Sequence, residues 1–253
     1  MKTDLTKTLL KRFDRLSAQR QNWETHWQEV ADYMMPRKAD VTKLRSRGDK
    51  RTELIFDSSP LQAVELLAAS LHGMLTNPST PWFSLKFKED EMDNEDEAKE
   101  WLESATETMY AAFNKSNFQQ EIFELYHDLI TFGTAAMYIE EDEDDILKFS
   151  TRHINEIYIA ENDKGRIDTV YRKFRLSVRA AVQQFGQGLS QKIDTIHAKD
   201  PYEEVEIVHA VYPRSDFNPK KQDKKNMPFE SVYMEYSSGD ELSVSGFREF
   251  PFV

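Results

Sequence analysis

The chain has 253 residues, 39% of them hydrophobic and 12% aromatic, enough to build a sizeable core in one large domain or two small ones. It has no cysteine, which excludes disulfides, Cys-based zinc sites and Cys nucleophiles and suits a reducing cytoplasm. The net charge of −12 is uneven: residues 1–50 hold 12 Lys/Arg against 7 Asp/Glu, and the remainder 21 against 38. An acidic body argues against a broad nucleic-acid-gripping surface, because phosphate binding works by releasing counterions to Lys and Arg. The opening "MKTDLTKTLLKRF" lacks the apolar core of a signal peptide, and no run approaches the roughly 20 apolar residues of a membrane span. A soluble protein, intracellular at synthesis, is expected.

Residues 3–35 read as one long amphipathic helix. Leu5, Leu9, Phe13, Leu16, Trp23, Trp27, Val30 and Met34 recur at spacings of three, four or seven, with Thr3 or Asp4 as cap and Pro36 as the stop. Packing against the body explains both tryptophans. The basic stretch 36–51, "PRKADVTKLRSRGDKR", has little apolar content and is expected as a mobile, exposed loop. It lacks the interleaved aromatics of a nucleic-acid contact.

A second helix begins at "SSPLQ", residues 58–62, with Ser59 as N-cap, Pro60 at the first helical position and Gln62 completing a capping box. Leu61, Val64, Leu67, Ala68, Leu71 and Leu75 follow at helical spacing beside small residues, which predicts a helix buried on most sides. His72 within it reads as a hydrogen-bonded structural histidine. Pro78 and Pro81 end the helix, and Trp82, Phe83, Leu85 and Phe87 form a short extended exit anchored in the core. The charge run 88–103 leads into a third helix, whose dipole favours carboxylates at its start. Trp101, Leu102, Ala105, Met109, Ala112 and Phe113 supply its apolar face. A fourth helix over about 117–132 closes at Gly133.

After Gly133 the pattern turns to strands: "TAAMYIEE", "ILKFSTR", "EIYIAEN" and "DTVYRKFRL", with a hairpin turn through Asp163, Lys164 and Gly165. A short helix, "SVRAAVQQFG", precedes three more strands, "EEVEIVHAVYPR", "FESVYMEYS" and "ELSVSGFREF". Helices followed by mostly antiparallel strands make the fold class α+β. The expected organisation is residues 1–50 as amphipathic helix and basic loop, 51–133 as a helical part and 134–253 as a β-rich part.

Phosphate-binding loops, dinucleotide fingerprints, zincin and nucleophile-elbow motifs are all missing, and the six histidines have no metal-ligand spacing. The acidic run Glu140, Glu141, Asp142, Glu143, Asp144 and Asp145 is the one candidate metal cluster. Six adjacent acids between two strands cannot converge on one point, so a solvated hairpin tip is expected. No residue is assigned a catalytic, cofactor-binding or metal role, and the chain reads as no enzyme.

The order of these features resembles the portal, or head-to-tail connector, proteins of T7-like short-tailed bacteriophages. The residues that carry the resemblance are "QRQNWETHWQEVADYMMP", the segment 55–85 with its "SSPLQAVELLAASLHGMLTNPSTPWFSL", "LYHDLITFGTAAMYIEED", "GRIDTVYRKFRLSVRAAVQQFG", "EIVHAVYPR" and "GFREFPF". The resemblance implies a structural subunit of a homo-oligomeric ring, typically of twelve subunits, at one capsid vertex of the virion, assembled in the host cytoplasm. It implies major capsid and scaffolding proteins, the terminase large subunit and tail adaptor proteins as partners. It also implies double-stranded DNA passing without sequence specificity during packaging and ejection, and neither cofactor nor membrane. Portals of this family are longer, so the chain is expected to be the outer wing region without stem, clip and crown. Two alternative readings stand beside it: a metal-dependent nuclease-type protein using Glu140–Asp145, and a generic adaptor binding another protein through the N-terminal helix.

Overall fold

The computed structural model describes residues 4–43, 45–46, 48–88, 96–186, 190–221 and 223–253, so Thr3 and the acidic run 89–95 lie outside the described residues. The architecture is α+β: four helices, α1 (Asp4–Met34), α2 (Ser59–Leu75), α3 (Asp96–Lys115) and α4 (Phe118–Phe132), precede the strands. Strands β1 (Ala136–Asp142), β2 (Ile146–Arg152), β3 (Ile157–Glu161) and β4 (Ile167–Ser177) follow. Helices α5 (Val178–Phe185) and α6 (Gln191–Lys199) then lead to β5 (Glu204–Pro213), β6 (Phe229–Glu235) and β7 (Glu241–Phe247). The chain divides into two compact units. One takes the chain up to Thr25 together with Asn155–Pro251, and the other takes His26–Ile154 together with Phe252–Val253.

In the first unit, β3 to β7 form a five-stranded antiparallel sheet in sequence order. Central strand β5 is covered on both faces. Val208 and Ala210 pack with Leu9 and Phe13 of α1, while Val205 and Ile207 pack with Val178 and Ala181 of α5 and Ile193 of α6. Double coverage explains why β5 reads as a nearly continuous apolar run instead of alternating. Phe13 meets the Tyr158 ring edge-on at 4.7 Å, and the Arg20 guanidinium lies 3.7 Å from the centroid of the same tyrosine ring. Helix α6 escapes a reading of the sequence because it is short and has only two apolar positions, Ile193 and Ile196, at helical spacing. Its Ser190 cap accepts the Ile193 N–H at 3.1 Å. Glu235, 1% exposed at the end of β6, fastens it: Lys192 Nζ, Ser237 Oγ and Ser238 Oγ all donate to its carboxylate. Burial alone would raise the Glu235 pKa, but these donors outweigh it and hold the carboxyl below its ordinary range.

In the second unit, α4 lies between α2 and the β1–β2 hairpin. One apolar cluster joins Trp27, Ala31, Met35 and Ala39 to Val64, Phe132 and Ile154. Another joins Phe118, Met137 and Phe149, with Trp82 and Phe113 against them. Helix α4 is also stitched to β2 through backbone groups. Asn117 accepts the Phe149 N–H and donates to its carbonyl, both at 2.9 Å, while Glu121 accepts the Thr151 N–H at 2.6 Å. Gly133, at φ 74°, ends α4 in the left-handed conformation as expected.

Three sequence expectations are corrected. Helix α2 starts one residue away from the expected cap: Ser58 is the N-cap without a side-chain bond, and Asp57 Oδ1 instead accepts the N–H and hydroxyl of Ser59. That helix is not buried on most sides, because within this chain only Val64 and Ala68 of its residues are buried. The two tryptophans part company: Trp27 is buried and donates from Nε1 to the Phe132 carbonyl at 3.2 Å, whereas Trp23 is 60% exposed.

Truncating Trp27 to alanine is expected to destabilise folding by about 3–5 kcal/mol, while Trp23→Ala stays within about 1 kcal/mol; chemical denaturation of both variants checks the contrast. For Glu235 the lowered pKa means stability that is present above pH 4.5, the ordinary glutamate value, and lost as pH falls through the depressed one. Glu235→Gln is therefore expected to cost about 2 kcal/mol at pH 7 and to lose less on acidification than the parent, read as melting temperature at pH 7 and pH 4.

Candidate functional site

The acidic run sits where a hairpin tip was expected. Glu140, Glu141 and Asp142 end β1, and Asp142 Oδ1 accepts the N–H groups of Asp144 (3.0 Å) and Asp145 (2.9 Å). Those two backbone donors hold the Asp142 carboxyl below its ordinary pKa. Glu140 faces Lys148 across the strands at 3.6 Å. Alternation along β1 sends successive carboxylates to opposite faces, so the run makes a turn and not a chelate. Among the described residues no group of three or more His, Asp or Glu side chains is placed to hold a metal ion.

His72 is structural, as expected. Its Nε2 lies 2.8 Å from Gln119 Oε1, and its ring meets Phe123 and Tyr126 edge-on. A larger ionic group, unseen in the sequence, joins the short 3-10 turn Pro36–Lys38 to α4. Lys38 Nζ donates to Asp128 Oδ1 at 2.6 Å and lies 3.3 Å from Glu124, which also pairs with Arg37 at 2.8 Å. Asp128 is 1% exposed, and burial raises its carboxyl above the ordinary range against the opposing pull of Lys38. For Glu124 burial acts the same way, but Arg37 and Lys38 win and the pKa falls. His127, 2% exposed and 3.4 Å from Glu65, has its pKa lowered chiefly by burial. This group holds charges but no nucleophile beside a base, and its geometry serves to fix residues 36–38 on α4.

The basic stretch is not the free loop its composition suggests. Gln28 Oε1 accepts three consecutive N–H groups, from Val41, Thr42 and Lys43, at 2.8–3.1 Å, while Gln28 Nε2 donates to the Ala39 carbonyl. Asp32 takes Lys43 and Arg45, and Asp40 takes Arg45 and Arg51. Together with Arg37 and Lys38, these bases are engaged with carboxylates of their own chain, which leaves a poor surface for phosphates.

The proline-flanked exit from α2 is a docked corner. Trp82 stacks on Phe118 at 5.7 Å, and Phe83 stacks on Tyr110 at 4.4 Å. Tyr110 Oη accepts the N–H groups of Trp82 (2.5 Å) and Phe83 (2.7 Å) and donates to the Phe83 carbonyl (2.9 Å). Beside it lies a cavity of about 530 Å³ lined by Phe83, Leu85, Leu102, Thr106, Lys99 and Glu103, among others. Its lining holds no histidine and no nucleophile–base pair, and the Tyr110 hydroxyl is already committed to the backbone.

No helix among the described residues is long and apolar enough to cross a membrane. The family described as "Bacteriophage head to tail connecting protein" matches residues 6–253. A probable portal protein of Bordetella phage BPP-1 is 34% identical over 249 residues, covering 96% of this chain and 45% of that protein. The portal protein of Salmonella phage epsilon15 is 35% identical over 251 residues, covering 97% of this chain and 45% of its own length. The chain thus spans about half the length of these curated relatives. It belongs to the bacteriophage head to tail connecting protein family, whose portal proteins are structural components of the phage and not enzymes.

Proposed function

We propose that this chain is the wing region of a portal subunit that assembles into a ring, of about twelve copies as the resemblance implies, at one vertex of the phage capsid. In this reading the ring assembles in the host cytoplasm with major capsid and scaffolding proteins and serves as the docking platform for the terminase large subunit and tail adaptor proteins. Double-stranded DNA passes through it during packaging and ejection. The observation that carries the reading is the collinear match over residues 6–253, shared with portal proteins of two phages.

The charge distribution supports a conduit over a DNA-gripping protein. The unit His26–Ile154 with Phe252–Val253 holds 13 Lys/Arg against 26 Asp/Glu, a balance of −13, which leaves the other unit near neutral. An acidic wall repels phosphates and lets a duplex slide. The organisation into 1–50, 51–133 and 134–253 is proposed as the helix and basic loop, the helical part and the β-rich part of that wing.

In negative-stain class averages the full-length protein is expected to show rings whose subunits can be counted in projection; a full-length monomer at every concentration and salt condition overturns the ring. Duplex DNA is expected to bind no more tightly than a dissociation constant of about 10⁻⁴–10⁻⁶ M at physiological salt, and tighter binding in a gel-shift titration contradicts passage without grip.

A further inference from the structure

We infer that the exposed apolar face of α2 is the contact surface for a second copy of this chain. The inference rests on the assembly reading above and names one surface for it.

Leu66 is 71% exposed, Met74 79%, Leu75 53% and Leu67 48%. Ala63, Leu66, Leu67, Ser70, Gly73 and Met74 recur at helical spacing and are all exposed, while Val64 and Ala68 turn into the unit. Isolated exposed leucines need no explanation, but a contiguous stripe of them on one helix marks an interaction site.

Gly73 supplies an independent observation. It lies inside α2, and a Cβ built on it would meet nothing within 4 Å. Gly246 is the contrast: a Cβ there would lie 2.5 Å from the Lys224 carbonyl oxygen, so its own chain requires the glycine. A glycine inside a helix weakens it relative to alanine. At Gly73 none of the described residues uses the vacated space, whereas the close approach of another backbone would.

Charge identifies the visitor. Residues 66–85 contain no Lys, Arg, Asp or Glu, the longest such stretch in a chain that is 31% charged. The unit that bears α2 carries −13, so two copies that meet through it repel wherever their surfaces bear its average charge. Within the acidic unit, close approach of two copies requires an uncharged face, and α2 presents one. A basic partner would instead be drawn to the carboxylate-rich surfaces that surround it.

Sedimentation velocity over a concentration series tests this on the 253-residue chain with Leu66→Asp, Gly73→Ala and, as a control in the other unit, Tyr202→Asp at a site 69% exposed. The parent is expected to self-associate. Leu66→Asp should raise its dissociation constant at least about 30-fold while the thermal melt of the dissociated chain is unchanged. Gly73→Ala should raise that melt by about 2–4 °C and yet weaken association, two opposite effects that a purely structural glycine would not produce. If both α2 variants assemble like the parent, the inference is overturned and the ring reading stands. If Tyr202→Asp weakens association as much as Leu66→Asp, added charge is the cause and the inference is likewise overturned. A parent that stays monomeric throughout overturns the inference, and the ring reading is then decided by the full-length protein.

Discussion

Irregular backbone in the helical unit has no neighbouring strand to pair with, and yet its N–H and C=O groups must find partners wherever water is kept out. Side chains from α1, α3 and α4 meet that demand. Gln28 gathers three successive amides of the segment after Pro36, and Tyr110 takes two amides and a carbonyl of the exit from α2; Asn117 and Glu121 do the same for backbone groups on the open edge of β2, whose other edge pairs with β1. Each side chain converts a loose stretch into a fixed one and at the same time sets where its helix sits. The aromatic packing of Trp82, Phe83, Phe113 and Phe118 is carried by the same stretch of backbone that Tyr110 of α3 binds.

The same demand for partners governs charge. Buried and half-buried carboxylates occur where cations or hydroxyls reach them: Asp32 and Asp40 by Lys43, Arg45 and Arg51; Glu124 and Asp128 by Arg37 and Lys38; Glu235 by Lys192 and two serines. Most of these pairs fix loops, and they consume basic residues of the 36–51 segment that composition alone would offer to DNA. What remains on the surface of that unit is chiefly acidic. A protein so arranged is poorly suited to hold phosphates.

Local signals were legible in the sequence. The helical period placed α1 within a residue at each end, Gly133 marked the end of α4, and every strand run from β1 to β7 was visible as an aromatic and β-branched stretch. The acidic tip was also legible, because strand alternation alone forbids six adjacent carboxylates from converging. What stayed hidden depends on partners distant in sequence. Lys192 reaches Glu235 to secure α6, Lys38 reaches Asp128 to close the ionic group, and Gln28 reaches residues 41–43. Composition counted the bases of 36–51 but held no information about the carboxylates that answer them. The cap of α2 slipped for a similar reason: Ser58, Ser59 and Asp57 are all competent acceptors, and only the folded geometry selects Asp57.

Helix α2 shows why periodicity and burial are different quantities. Its sequence has the composition of a helix surrounded by other groups, while the folded chain covers only the side bearing Val64 and Ala68. Hydrophobic pattern records the environment in which a protein works, summed over everything that packs on it, and does not say which chain supplies each contact. For an enzyme acting alone such a mismatch would be a liability to aggregation. In the proposed assembly it is what a subunit would carry before its neighbours arrive, and the charge-free run from Leu66 to Leu85 fits that proposal in a way that a random exposed patch on so acidic a chain does not.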